Sequence, residues 1–366
     1  MWFSKFSFSF PILLLLVGDV VAAASAPRLH KQQACEHNGT VARKEWGEMA
    51  VAERINYTDA VKCLTRKPPR LPTKDYPGVR SRFDDFVATH INMTLKVHYS
   101  GLFLPWHRGF IQIWEQTLRD ECGYKGRQPY WNWPLWANDL KNSPLFDCSS
   151  SSLSGDGEYN PGEQSLSGGN VTIPRGSGGG CVPKNCGPFG DLEVNLGPFD
   201  RNIVSLTELP EPKFEYNPRC LNRSLNHFVS SRYTNETLLD NLMATTDIIE
   251  FQTAMDHWPA RPDGVFGLHG GGHFSLGATM HDLFASPADP AFMLHHSMID
   301  RVWAQWQAED EKTRRYALNG TTTILNPPWG KQVNLDTVME FGVLDRPRKI
   351  REVMSPTSGG LCYTYT

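Results

Sequence analysis

Six histidines fall in two clusters, and the neutral imidazole nitrogen is a ligand that suits copper, zinc, iron and nickel. The segment FVATHINMTLKVHYSGLFLPWHR holds His90, His98 and His107, and LHGGGHFSLGATMHDLFASPADPAFMLHHSMIDRVW holds His269, His273 and His296. Together they offer three nitrogens to each of two metal ions and no thiolate, a set that keeps coordination positions open for a small molecule. A lone histidine is ordinarily a hydrogen-bonded core or surface residue. His269 and His273 differ, because an i, i+4 pair turns both rings to one side of a helix. Each of the three glycines between them costs roughly 1 kcal/mol of helix propensity relative to alanine. A metal and close packing are what could hold such a turn. The zinc-protease pattern H-E-x-x-H has this spacing but needs a glutamate as general base, where this chain has Gly270. The residues thus imply a dinuclear metal centre that is not a zincin.

The spacing also carries a resemblance. Phe86 to His90, then His98, then Phe103-Leu104-Pro105-Trp106-His107-Arg108 resembles the copper A region of the tyrosinase, catechol oxidase and haemocyanin family, the type 3 copper proteins. His269 and His273, followed by Asp289-Pro290-Ala291-Phe292-Met293-Leu294-His295-His296 and Asp300, resembles its copper B region. The likeness is strong over residues 80–140 and 245–310 and weak elsewhere. It implies a mainly α fold, two copper ions held by His90, His98, His107 and by His269, His273, His296, and His296 rather than His295 as the last ligand. His281 and His295 stand outside the pattern. Within the family the chain resembles short, secreted fungal catechol oxidases. The implied chemistry is oxidation of o-diphenols to o-quinones with dioxygen as acceptor. Some relatives link a cysteine to a copper A histidine as a thioether; Lys96 stands at that position here, so no such link is expected.

The same resemblance bears on which phenols react. Monophenol hydroxylation in the family goes with an asparagine after the first copper B histidine and an upstream glutamate that together hold a water. Gly270 stands at the first position, and aligning Phe251 to His257 with the family pattern places Asp256 at the second. Glycine holds no water with a side chain and aspartate is one methylene shorter, so diphenol oxidation with little or no monophenol hydroxylation is expected. Asp256 is the candidate base, and Asp300, one turn beyond His296, is the candidate for orienting a ligand ring. The alternatives are a tyrosinase with monophenolase activity and an oxidase tailoring one complex phenol or o-aminophenol. An oxygen carrier is a poorer match, since haemocyanin subunits are much larger. A di-iron bundle site would favour carboxylates, which these clusters lack.

The elements that must position the ligands read as helices. Residues 108–121 place Phe110, Ile111, Ile113, Trp114 and Leu118 near helical spacing and end at Gly123; residues 80–98, 236–256 and 292–308 give three more. Four helices converging on a metal site form a bundle, here with long loops and a few short strands. Residues 147–200 are rich in Ser and Gly and read as a long surface insertion, tied down by Cys148, Cys181 and Cys186 and placed at the rim of the substrate entrance. The Tyr363-Thr364-Tyr365 element resembles the tyrosine motif that closes the family's catalytic domain. The chain stops just after it, so a shielding C-terminal domain is not expected.

The remainder bounds the setting. Residues 1–24 carry an apolar run from Pro11 to Val17 and small residues near Ala24, the pattern of a secretory leader, with a single catalytic domain over 25–366. Eight cysteines, from Cys35 to Cys362, imply disulfides in an exported chain, with 105 possible pairings. N-glycosylation sequons occur at Asn38, Asn56, Asn92, Asn170, Asn222, Asn235 and Asn319, of which Asn92, two residues from His90, is the one not expected to carry a glycan. A net charge of -3 without long charge runs argues against nucleic acid and anionic membranes as partners. The expected partners are a small phenol and dioxygen, and the expected state is a secreted, extracellular monomer or weak dimer.

Overall fold

The computed structural model describes residues 41–168, 171–199, 208–257, 266–358 and 360–366. The leader, Cys35, Asn38 and Asn170 lie outside the described residues. The helices are α1 (Val51–Arg66), α2 (Arg82–Val97), α3 (Phe103–Cys122), α4 (Trp133–Trp136), α5 (His227–Tyr233), α6 (Glu236–Met243), α7 (Ile248–Asp256), α8 (Leu268–Leu276), α9 (Ala291–Glu309) and α10 (Glu311–Arg314). The strands are two or three residues each: β1 (Val41–Arg43), β2 (Leu166–Gly168), β3 (Val171–Ile173), β4 (Glu193–Val194), β5 (Arg219–Cys220), β6 (Val338–Met339), β7 (Arg348–Lys349) and β8 (Tyr363–Tyr365).

Local chemistry accounts for the boundaries. Ser81 starts α2 with a reciprocal capping box to Asp84, and Gly123 ends α3 in the left-handed region at φ +69°. The helix expected over 236–256 is two helices instead. Asp247 accepts hydrogen bonds from the Ile249 and Glu250 amides and so caps a new helix in mid-segment. The short polar residues Thr245 and Asp247 offer the backbone local partners that compete with the helical ladder, Thr245 by donating to the Leu242 carbonyl. The helices that carry the histidines are therefore α2, α3, α8 and α9, with α8 rather than 236–256 as the fourth.

α1 lies on α2 and α3, α3 lies on α9, and α8 packs on both α5 and α9. The core between them is aromatic. Trp46, Trp106, Trp114, Trp131, Trp133, Trp303 and Trp306 are all buried, and Phe86 meets Phe110 and Trp114 edge-on at 5.6 and 5.0 Å. β1 pairs parallel with β8, in register Val41 to Tyr363 and Arg43 to Tyr365, which ties one edge of the described chain to the other. The insertion at 147–200 is pinned by Cys148–Cys186 and Cys181–Cys220, and Cys63–Cys122 joins α1 to the end of α3. Cys362 is disulfide-bonded as well. No described helix is long and apolar enough to cross a membrane.

Candidate metal centre

His90 sits inside α2, His98 is its C-cap residue, and His107 lies in the second turn of α3. Each ring is fixed by the nitrogen that points away from the cluster. His90 Nδ1 donates to the Phe284 carbonyl at 2.7 Å, His98 Nδ1 to Thr94 at 3.0 Å and His107 Nδ1 to Phe103 at 2.9 Å. A carbonyl can only accept, so Nδ1 carries the proton and Nε2 keeps its lone pair. The Nε2 atoms of His90 and His107 are buried and have no hydrogen-bond partner. A buried acceptor left unpaired costs about 1–3 kcal/mol. Burial, then the neighbouring imidazoles, hold His90 and His107 well below their ordinary pKa and push His98 down to about 3, so the rings stay neutral.

The second group stands on α8 and α9. His269, His273 and His296 bring their Nε2 atoms together at 3.1 Å and 3.3 Å. An ion with metal–nitrogen bonds of about 2.0–2.1 Å in a tetrahedral or trigonal array separates its donors by about 3.3–3.6 Å. His273 Nδ1 donates to the Met280 carbonyl at 2.6 Å. His107 and His296 stack across the two groups with centroids 4.3 Å apart, so the triads adjoin. Three neutral imidazoles per site, their Nε2 atoms converging in one group and left without a partner on His90 and His107 in the other, fit the two copper ions that the sequence implies.

His295 meets the same cluster and still cannot serve. Trp133 Nε1 donates to its Nδ1 at 3.0 Å, and its Nε2 meets the His269 carbonyl at 3.1 Å. The donor fixes the tautomer with the proton on Nε2, and no lone pair remains for a metal. The glycines of α8 then have physical reasons. A Cβ at Gly272 would come within 2.2 Å of the His295 ring, and one at Gly271 within 2.4 Å of the Tyr233 carbonyl. At Gly270 its nearest neighbours would be atoms of the Phe266 side chain, from 3.2 Å, and that position faces a cavity.

Neither carboxylate stands where the sequence suggested. Asp300 touches no ligand ring. It accepts hydrogen bonds from Arg108, Arg43 and the hydroxyls of Tyr363 and Tyr365, and Arg43 also bonds Glu115 and Gln112. Spacing put Asp300 on the His296 side of α9, but two buried guanidinium groups claim it. His296 is held instead by stacking on Phe292, with centroids 4.1 Å apart, and its Nδ1 has no hydrogen-bond partner. Asp256 is the residue that orients a ring, its Oδ1 lying 2.6 Å from His269 Nδ1. Burial pushes its carboxyl up to about 8 and His269 down to about 3. A cation on the far side of the ring favours the carboxylate, with Nδ1–H donating to it.

A cavity of about 370 Å³ opens over the histidines, lined by His98, His269 and His273 and by Tyr99, Gly270 and Phe284 among others. Phe199, at the end of the 147–200 segment, is part of this wall and donates its amide to Asp282 at 2.8 Å. His281, outside the ligand pattern, also lines the cavity. Tyr99, Phe199 and Phe284 were not legible as wall residues, since they come from separate loops; the only signal for Tyr99 was its place after His98. Among the described sequons, Asn56 is exposed, while Asn92, Asn222, Asn235 and Asn319 are half-buried. The Asn235 and Asn319 amides already donate to Ser231 and Gln252.

Fold and site together define a mainly helical protein with two adjoining tri-histidine metal sites beneath an aromatic cavity. The family model for the common central domain of tyrosinase matches residues 80–309. Tyrosinase P of Aspergillus terreus is 52% identical over 329 residues, covering 88% of this chain and 91% of that protein. N-acetyl-6-hydroxytryptophan oxidase ivoB of Emericella nidulans is 46% identical over 359 residues, 94% of this chain and 97% of that one. A solved glycine-to-asparagine variant of polyphenol oxidase from Thermothelomyces thermophila superimposes with a TM-score of 0.84 at 41% identity, covering 91% of this chain and 90% of that chain. The chain belongs to the tyrosinase family of type 3 copper proteins and is a tyrosinase-family copper oxidoreductase.

Proposed function

We propose that this protein is a secreted copper oxidase that converts o-diphenols to o-quinones, with little or no hydroxylation of monophenols. The observation that carries the reading is the pair of converging imidazole triads with Gly270 in the cavity wall above them. Two copper ions, held by His90, His98, His107 and by His269, His273, His296, would supply reversible electron exchange with dioxygen. The net reaction takes two electrons and two protons from each diphenol, so two diphenols and one dioxygen give two quinones and two waters.

The chain's own groups account for the rest. Phe199, Phe274 and Phe284 line a slot for a flat ring. The hydrogen bonds to Nδ1 hold the imidazoles in one tautomer through turnover. Gly270 places no side-chain polar atom above His269, and Asp256 Oδ1 is engaged by that ring, which supports weak holding of a water against an incoming monophenol. The leader at residues 1–24 and the disulfides support export, because disulfides persist in oxidising compartments. A second reading, a tailoring oxidase for one complex phenol or o-aminophenol, draws support from the likeness to an N-acetyl-6-hydroxytryptophan oxidase.

Oxygen uptake by copper-loaded protein with 4-tert-butylcatechol, tyramine and 2-aminophenol in parallel separates these readings. The catechol is expected to be consumed fastest and tyramine slowly or not at all. Rapid tyramine hydroxylation would overturn the role given to Gly270. A preference for 2-aminophenol would favour the second reading.

A further inference from the structure

A second cavity lies beside the first, and one side chain belongs to the walls of both. The cavity over the histidines measures about 370 Å³ and its neighbour about 310 Å³, and Tyr99 lines each. The neighbour is lined mainly by groups that can hydrogen-bond, including Ser100, Gln252, Thr253, Asn319 and Asn326. Asp256 also faces it, so the carboxylate that orients His269 borders the second space.

Tyr99 is held in an unusual way. It follows the ligand His98 directly, and its backbone sits at φ +46°, in the left-handed region. For a non-glycine residue that conformation costs on the order of 1 kcal/mol or more, and it persists only where the surroundings impose it. Glycine would adopt it freely, so the side chain is what the position retains at that cost.

We propose that Tyr99 is the partition that sets the length of phenol this site accepts. With the ring in place, the space over the histidines suits one aromatic ring and a short arm. With the ring removed, the two cavities join and the available space nearly doubles. Diphenols bearing a second ring on a polar linker then fit, their linker meeting the side chains of Thr253 and Asn326. This inference rests on the o-diphenol reading above.

The test compares copper-loaded wild type with Tyr99→Phe, Tyr99→Ala and Tyr99→Gly. The substrates are 4-methylcatechol and N-benzyl-3,4-dihydroxybenzamide, with the copper content of every variant measured alongside. The ratio of kcat/KM for the extended substrate to that for the compact one is expected to rise about tenfold in the Ala and Gly variants, mostly through KM for the extended substrate. In Tyr99→Phe the ratio should stay at the wild-type value. An unchanged ratio in both Ala and Gly variants that retain copper would overturn the proposal. Loss of copper from both would also overturn it, because Tyr99 would then be a support for His98 and not a partition. If the wild type oxidised neither catechol, the o-diphenol reading itself would fail, a result distinct from an unchanged ratio.

Discussion

Two polar clusters are buried within one helical turn of each other on α9, and they follow opposite rules. Around Asp300 the partners are saturated. Its carboxylate takes hydrogen bonds from Arg108, Arg43, Tyr363 and Tyr365, while Glu115 takes Arg43 and Arg127. Around His296 the ring nitrogens converge on one another, and His90 Nε2, His107 Nε2 and His296 Nδ1 have no hydrogen-bond partner. Buried polar groups are normally hydrogen-bonded, so the saturated cluster is explained by structure alone. The unsaturated one needs a group that accepts lone pairs. His295 and His296 repeat the contrast between adjacent residues: one ring has both nitrogens engaged, the other neither anchored by a carbonyl nor closed to a ligand.

Substitution separates the two clusters. The largest effect is expected at a ligand: His107→Ala should lower catechol oxidation by about 10³-fold or more and take at least one copper from the protein, read by oxygen uptake and metal analysis. Next comes the saturated cluster. Asp300→Ala leaves two buried guanidinium groups short of a partner and should destabilise the copper-free protein by about 3–5 kcal/mol in urea unfolding. His107→Ala should cost the copper-free fold far less than that, and equal losses would blur the distinction. Asp256→Asn weakens the anchor of His269 and should cut copper affinity or activity by about 10–100-fold, measured by copper titration against a competing chelator. His295→Gln sharpens the comparison from the other side, since it should lose stability but keep two coppers per chain.

The smallest effect concerns acid. Burial alone would raise the Asp300 carboxyl, but Arg108 and then Arg43 hold it below the usual range, and Glu115 is likewise lowered, against burial, by Arg43. A depressed carboxylate pKa contributes stability above its unfolded value of about 4 and loses it as pH falls through the folded value. Unfolding free energy of the copper-free protein should therefore drop below about pH 4, and drop less steeply in Asp300→Asn.

Much of the site was legible because metal chemistry imposes local spacing. His269 and His273 face one way on a helix whatever surrounds them, and Gly123 ends α3 by its own conformational freedom. What failed depends on contacts between distant segments. Asp300 has the helical spacing to serve His296, yet Arg43, 257 residues away, is one of the groups that claim it. Asp256 looked like a base at a helix end, and only the return of the chain through α8 sets it on His269. The break between α6 and α7 was written locally, in Asp247 with Glu250 three residues on, and apolar periodicity across 236–256 masked it.

The most direct measurement adds copper stepwise to metal-free protein while recording oxygen uptake with 4-tert-butylcatechol. If both imidazole triads are metal sites acting together, uptake should stay low while most molecules hold one ion and reach its maximum at two equivalents per chain. Full activity at one equivalent, or activity with no copper bound, would contradict the dinuclear site.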